Sequence, residues 1–112
     1  MFIDPDIEQI DATLAVGTNT IELHTGRYCD ALDDISASRE LERLMVATRY
    51  AAKAGMRVCA GHGLNYENTS RVVEALPAVV EYNIGHSIIA RSIRVGIERA
   101  VHEMKNILEG RV

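Results

Sequence analysis

Three times in this chain an apolar run ends in a histidine beside glycine. The segments are Ile21-Glu22-Leu23-His24-Thr25-Gly26, Val58-Cys59-Ala60-Gly61-His62-Gly63 and Tyr82-Asn83-Ile84-Gly85-His86-Ser87. A helix-like pattern follows each one, directly or after a loop. Strand, polar tip, helix, repeated, is the pattern of a parallel α/β protein whose site lies at the carboxyl ends of its strands.

The rest of the chain fits the same rhythm. Met1–Ile3 reads as a short strand. Asp4 and Pro5 then suit an N-cap and a first helical position. Ile7, Ile10 and Leu14 keep helical spacing up to Gly17. Thr20–Leu23 is the second predicted strand. The polar stretch from Thr25 to about Ser36 is long for a bare connection, so a lid or a short helix is expected there. Leu41, Leu44, Met45, Thr48 and Ala52 mark one face of a long helix that starts near Ser38, Glu40 and Glu42 and closes at Gly55. Arg57–Ala60 is the third strand, Thr69–Leu76 a short helix stopped by Pro77, and Val79–Ile84 the fourth strand. One last helix is expected from about Ser87 to Leu108, with Ile93, Ile97, Val101, Met104 and Leu108 as its apolar side. Four βα units make either a small open sheet or half of an eight-stranded barrel.

Size and charge narrow the functions. At 112 residues the chain fits one domain, taken as 1–112. A net charge of −4 argues against a nucleic-acid surface, which needs clustered Lys and Arg. Charges interrupt every long apolar run, so no membrane span is expected. The start goes straight into predicted structure, with no signal peptide. Cys29 and Cys59 are the only cysteines. They read as free thiols of a cytoplasmic protein, Cys59 in the core and Cys29 in a loop without an adjacent base.

Alternation along the strands assigns faces. Glu22 and His24 share one face, and Ile21 and Leu23 the other. The same logic groups His62 with Ala60 and Val58. The inward face is expected to hold Val58, Ala60, Glu22, Glu81 and Asn83. Gly61 and Gly63 bracket His62 where backbone must approach a ligand or take positive φ. Gly85-His86-Ser87 opens the last helix, whose unpaired N–H groups suit a phosphate.

These residues together resemble a known family. Phe2-Ile3-Asp4, the segment from Ile21 to Tyr28, Ala60-Gly61-His62-Gly63-Leu64-Asn65-Tyr66 and Asn83-Ile84-Gly85-His86-Ser87-Ile88-Ile89 are similar to motifs of the pyridoxine 5′-phosphate synthases of vitamin B6 synthesis. So are Ala100-Val101 and Met104-Lys105. The resemblance implies an α/β fold of the (β/α)8 TIM-barrel type. This chain would be its carboxyl-terminal half, with four parallel βα units. It implies condensation of 1-deoxy-D-xylulose 5-phosphate with 3-amino-2-oxopropyl phosphate, giving pyridoxine 5′-phosphate, phosphate and water. By that resemblance His62 is the proton donor and Glu22 the transition-state-stabilising carboxylate. Gly63, Gly85 and His86 hold 3-amino-2-oxopropyl phosphate. No cofactor and no metal are expected. The partners expected are phosphorylated small molecules, together with a second copy or a complementary amino-terminal half-barrel. The chain by itself is expected to be inactive and not to persist as a well-packed monomer.

Each assignment has a plainer competitor. His62 could be a structural histidine and Glu22 an internal ion-pair partner. His24 reads as a hydrogen-bonded support for the site. Asn65 and Tyr66 read as loop-shaping residues, and His102 receives no role. Two alternatives to the synthase are carried forward. One is a metal site of Glu22, His24, His62 and His86. The other is an inactive half-barrel that only binds phosphate.

Overall fold

The structure, a computed structural model, describes residues 1–110, two short of the span expected for the domain. It is an α/β fold. Its elements are β1 (Phe2–Ile3), α1 (Ile7–Ala15), β2 (Thr20–His24), α2 (Gly26–Cys29), α3 (Asp34–Lys53), β3 (Arg57–Gly61), α4 (Thr69–Ala75), β4 (Glu81–Asn83), α5 (His86–Val95) and α6 (Ile97–Leu108). The four strands form one parallel sheet in the order β1-β2-β3-β4. The alternation of strand and helix expected from the sequence is therefore present.

The core lies on one side of the sheet. Ile21 and Leu23 of β2 and Val58 of β3 are buried against Ile10 of α1, Leu41, Leu44, Ala47 and Ala51 of α3, and Val72 of α4. Burying side chains of this size contributes about 1.5–3 kcal/mol each. The long helix starts at Asp34, earlier than the Ser38 region expected. Its N-cap is Asp33, whose carboxylate accepts the Ser36 N–H at 2.7 Å. The first helix starts later than expected, at Ile7, with Asp6 as N-cap rather than Asp4. Asp6 does not cap through its side chain, because that carboxylate pairs with Arg43 of α3. Gln9 compensates from within the helix by accepting the Asp4 N–H at 2.9 Å.

The pairing register corrects the expected inward face. Val58 lies opposite Ile21 and Ala60 opposite Leu23, so both face the helices. Cys59 lies between Glu22 and Glu81 instead, and Gly61 between His24 and Asn83. The inward face thus carries Phe2, Glu22, His24, Arg57, Cys59, Gly61, Glu81 and Asn83. No helix covers it among the described residues: Phe2 is 53% exposed, and Arg57, Glu81 and Asn83 are exposed as well. The Arg57 guanidinium bonds Glu81 at 3.1 Å and the Cys59 sulfur at 3.3 Å, and these side chains shield the buried thiol.

The single terminal helix expected is two. Gly96, at φ +87°, ends α5 and opens α6. Its N–H donates to Ser92 O and its carbonyl accepts from Ala100 N. The expected stripe holds at Met104 but not at Ile93, Ile97 and Val101. Ala100, Met104 and Ile107 are buried, whereas Ile97 and Val101 are exposed and Ile93 is 85% exposed. No residue of α5 is buried. Glu103 of α6 joins the two helices, bonding Arg91 and Arg99, each at 3.0 Å.

Candidate functional site

The tips of β2, β3 and β4 converge on one cleft of about 470 Å3. Its lining includes Phe2, Glu22, His62, Gly63, Asn83, Gly85 and His86. Every residue nominated as catalytic or phosphate-binding is in that set. His62, Gly63, Gly85 and His86 lie just beyond the carboxyl ends of β3 and β4, and Glu22 lies in the middle of β2 on the face that lines the cleft.

His62 reaches the cleft through an unusual backbone. Simple alternation would send it toward the helices with Ala60. Its φ of +90°, the one positive value at a non-glycine among the described residues, turns it to the opposite side. Such a conformation costs on the order of 1–3 kcal/mol and persists only when its surroundings enforce it. Thr25, wholly buried at the end of β2, supplies that enforcement. Its hydroxyl lies 2.7 Å from the Gly61 carbonyl oxygen and 2.6 Å from that of His62. Its N–H donates to Gly61 O at 2.9 Å.

The loop beyond His62 is tied at several further points. Asn68 Nδ2 donates to Gly63 O at 3.3 Å, and Asn68 Oδ1 accepts the Asn65 N–H at 2.8 Å. Asn65 Oδ1 accepts the N–H groups of Glu67 and Asn68. The Ser87 hydroxyl donates to Leu64 O, and that of Tyr66 to Ala100 O, both at 2.7 Å. Asn65 and Tyr66 therefore shape the loop, as their sequence context suggested. Gly63 has φ +81°, and a Cβ there would lie 2.8 Å from Cys29 Cβ. Close passage of the two loops leaves room for hydrogen only.

His24 supports His62 from the side. Their rings lie 4.5 Å apart, and the Phe2 ring lies 4.8 Å from His24 on β1. Gly26 N–H donates to His24 Nδ1 at 2.9 Å, which leaves the proton of the neutral imidazole on Nε2. Cys29, expected in a loop, sits in the short helix α2. Burial pushes its thiol up to about 11, so it is no nucleophile at neutral pH.

Glu22 is held by a residue to which the sequence gave no role. Asn83 Nδ2 donates to the Glu22 carboxylate across β3, over Gly61. The signal was available in the register: Asn83 and Gly61 share a rung with His24, one dyad above Glu22.

The third feature is the start of α5. Gly85 is its N-cap, no side chain caps it, and its first helical bond runs from Ile89 N to Gly85 O. The N–H groups of its first turn have no partner within the helix, and they open beside the cleft. The four-residue metal alternative is not assembled. Among the described residues no three His, Cys, Asp or Glu side chains gather as a metal site, and His24 Nδ1 is committed to Gly26.

Comparison with known proteins identifies the family. The family model described as pyridoxal phosphate biosynthesis protein PdxJ matches residues 1–110. A pyridoxine 5′-phosphate synthase from Idiomarina loihiensis is 51% identical over 109 residues, covering 97% of this chain and 45% of that protein. One from Nostoc sp. is 52% identical over 110 residues, covering 98% of this chain and 46% of the relative. The one from Syntrophotalea carbinolica is 48% identical over 110 residues, with 98% and 46% covered. This chain spans less than half the length of the relatives it matches. A match along nearly all of its residues places it in a family: the chain belongs to the pyridoxal phosphate biosynthesis protein PdxJ family.

Proposed function

We propose that this chain provides the proton-donor and phosphate-binding half of a pyridoxine 5′-phosphate synthase. The observation that carries the reading is the shared cleft, into which Glu22, His62, Gly63, Gly85 and His86 all open. The reaction condenses 1-deoxy-D-xylulose 5-phosphate with 3-amino-2-oxopropyl phosphate. The N–H groups of Gly63 and of the first turn of α5 clamp the phosphate of the amino ketone, with His86 beside them. His62 gives protons to leaving oxygens, a task suited to an imidazole. The Glu22 carboxylate faces the amine and stabilises the cation that develops from it.

In the same reading the chain works in the cytoplasm, where its two free cysteines stay reduced. It works with a partner, either a complementary amino-terminal half-barrel or a second copy. The inward sheet face is bare among the described residues, whereas parallel sheets are almost always covered on both sides. Strands β1 and β4 are open edges able to pair with another chain.

Two measurements test the proposal. Titration with inorganic phosphate or pyridoxine 5′-phosphate moves the NMR amide signals of Gly63 and Gly85 most. Largest shifts elsewhere defeat the site assignment. Product forms when the chain is co-produced with a polypeptide carrying the other half of a family member, and not from the chain alone. Turnover by the lone chain refutes the half-enzyme reading. Phosphate binding without turnover in the assembled pair leaves only a phosphate-binding protein.

A further inference from the structure

Strands β2 and β4 are not neighbours, yet a side chain of one bonds a side chain of the other. Next-nearest strands in a sheet lie roughly 10 Å apart, twice the inter-strand spacing. A bond between them must pass over the strand in the middle. Asn83 and Glu22 achieve this above Gly61 of β3. A Cβ at Gly61 would lie 2.7 Å from Asn83 O, 3.0 Å from Glu22 Oε2 and 3.3 Å from Asn83 Cβ. Glycine is therefore a notch in the rung, and the two side chains meet through it.

The chemistry of the pair has one sense only. An ionised carboxylate accepts and cannot donate, so the amide must present Nδ2 rather than Oδ1. Glu81, two residues earlier on the same strand face, is held by the Arg57 guanidinium at 3.1 Å. Glu22 Oε1 is taken, and the plane of its carboxylate is set.

We propose that Asn83 is a positioning residue for Glu22. It fixes the carboxylate so that Oε2 meets the cationic centre of a substrate in the cleft, and Gly61 is the gap that makes the contact possible. The inference rests on the synthase reading above. Its cost signature is loss of rate rather than of substrate affinity, because Asn83 orders a group needed as charge develops.

The test uses the chain assembled with the other half of a family member. Asn83→Ala lowers kcat about 10- to 100-fold and leaves KM for the phosphate substrates nearly unchanged. Asn83→Asp is inactive at neutral pH, where a new carboxylate repels Glu22 and Glu81. Its activity relative to wild type rises as pH falls, because a shared proton restores a donor. The charged and titratable groups facing this position are Glu22 and His24 on β2, Arg57 and Cys59 on β3, Glu81 on β4, His62 in the loop after β3, and His86 at the start of α5. The ratio to wild type cancels the titration of those common to both proteins. In the same assembly, where the other half covers this sheet face, the Asn83 side-chain amide protons exchange slowly, and Glu22→Ala abolishes that protection. Unprotected amide protons, or wild-type turnover in Asn83→Ala, overturn the positioning role alone. An inactive wild-type assembly overturns the synthase reading, and this inference falls with it.

Discussion

The imidazoles of His24 and His62 lie 4.5 Å apart at an angle of 37°, yet they reach that contact by different backbones. His24 ends a regular strand, and its Nδ1 is fixed by Gly26 N–H. His62 sits beyond a strand at φ +90°. One ring is a support held by local hydrogen bonding, and the other is an exposed group with its edge in the cleft.

That division predicts the behaviour of substitutions in an assembled enzyme. His62→Ala loses on the order of 100- to 10,000-fold in kcat, the usual worth of general acid catalysis. Glu22→Gln keeps the fold and lowers turnover, because the amide is nearly isosteric but uncharged. Steady-state kinetics beside a circular dichroism spectrum separates rate from folding. Unchanged turnover in either variant removes that residue from the mechanism.

The glycine after His62 gives a prediction about stability. Gly63→Ala meets two penalties: φ of +81° and a Cβ 2.8 Å from Cys29 Cβ. We expect a loss of about 1–3 kcal/mol in urea unfolding. Adding Cys29→Gly removes the collision but not the dihedral strain. The double variant should therefore recover only part of the loss beyond what Cys29→Gly costs alone.

Cys29 itself should react slowly. Its thiol is pushed up from 9.0 to about 11, chiefly by burial. At pH 8 the thiolate fraction is then about 100-fold below that of an unperturbed thiol. Alkylation by iodoacetamide, followed by mass spectrometry, should accelerate about tenfold per pH unit until pH approaches 11. A plateau near pH 9 contradicts the burial argument.

A fourth expectation concerns the α5–α6 hairpin. Hydrogen bonds from Arg91 and Arg99 hold the Glu103 carboxyl below its ordinary 4.5. A depressed carboxyl contributes stability above its unfolded pKa and loses it as pH falls through the folded value. The hairpin should therefore loosen as pH drops below about 4.5, seen as faster amide exchange in α5. Glu103→Gln should remove that dependence, and the effect should shrink in high salt because the pair is at the surface.

Much of this architecture is legible from residue order. Thr20–Leu23 and Arg57–Ala60 announce β2 and β3 to within one residue, because β-branched and apolar side chains there are bounded by turn residues. The strand-tip histidines and glycines place the site. Other features depend on contacts that no local pattern encodes. Asp6 rather than Asp4 caps α1, and Arg43 of α3 takes its carboxylate. The apolar spacing from Ile93 to Leu108 runs straight through Gly96, and only the φ of that glycine reveals the break. Alternation carried through His62 puts Val58 and Ala60 on the inward face, whereas the positive φ of His62 reverses that alternation.

That reversal reaches beyond this chain. One dihedral decides which side of the sheet receives the imidazole, and Thr25, wholly buried and outside the cleft lining, sustains it. Anyone grafting this constellation onto another parallel scaffold must copy a conformation together with the threonine that holds it. A transplant of Glu22, His62 and the glycines into regular β geometry would fold with its imidazole pointing into the hydrophobic core.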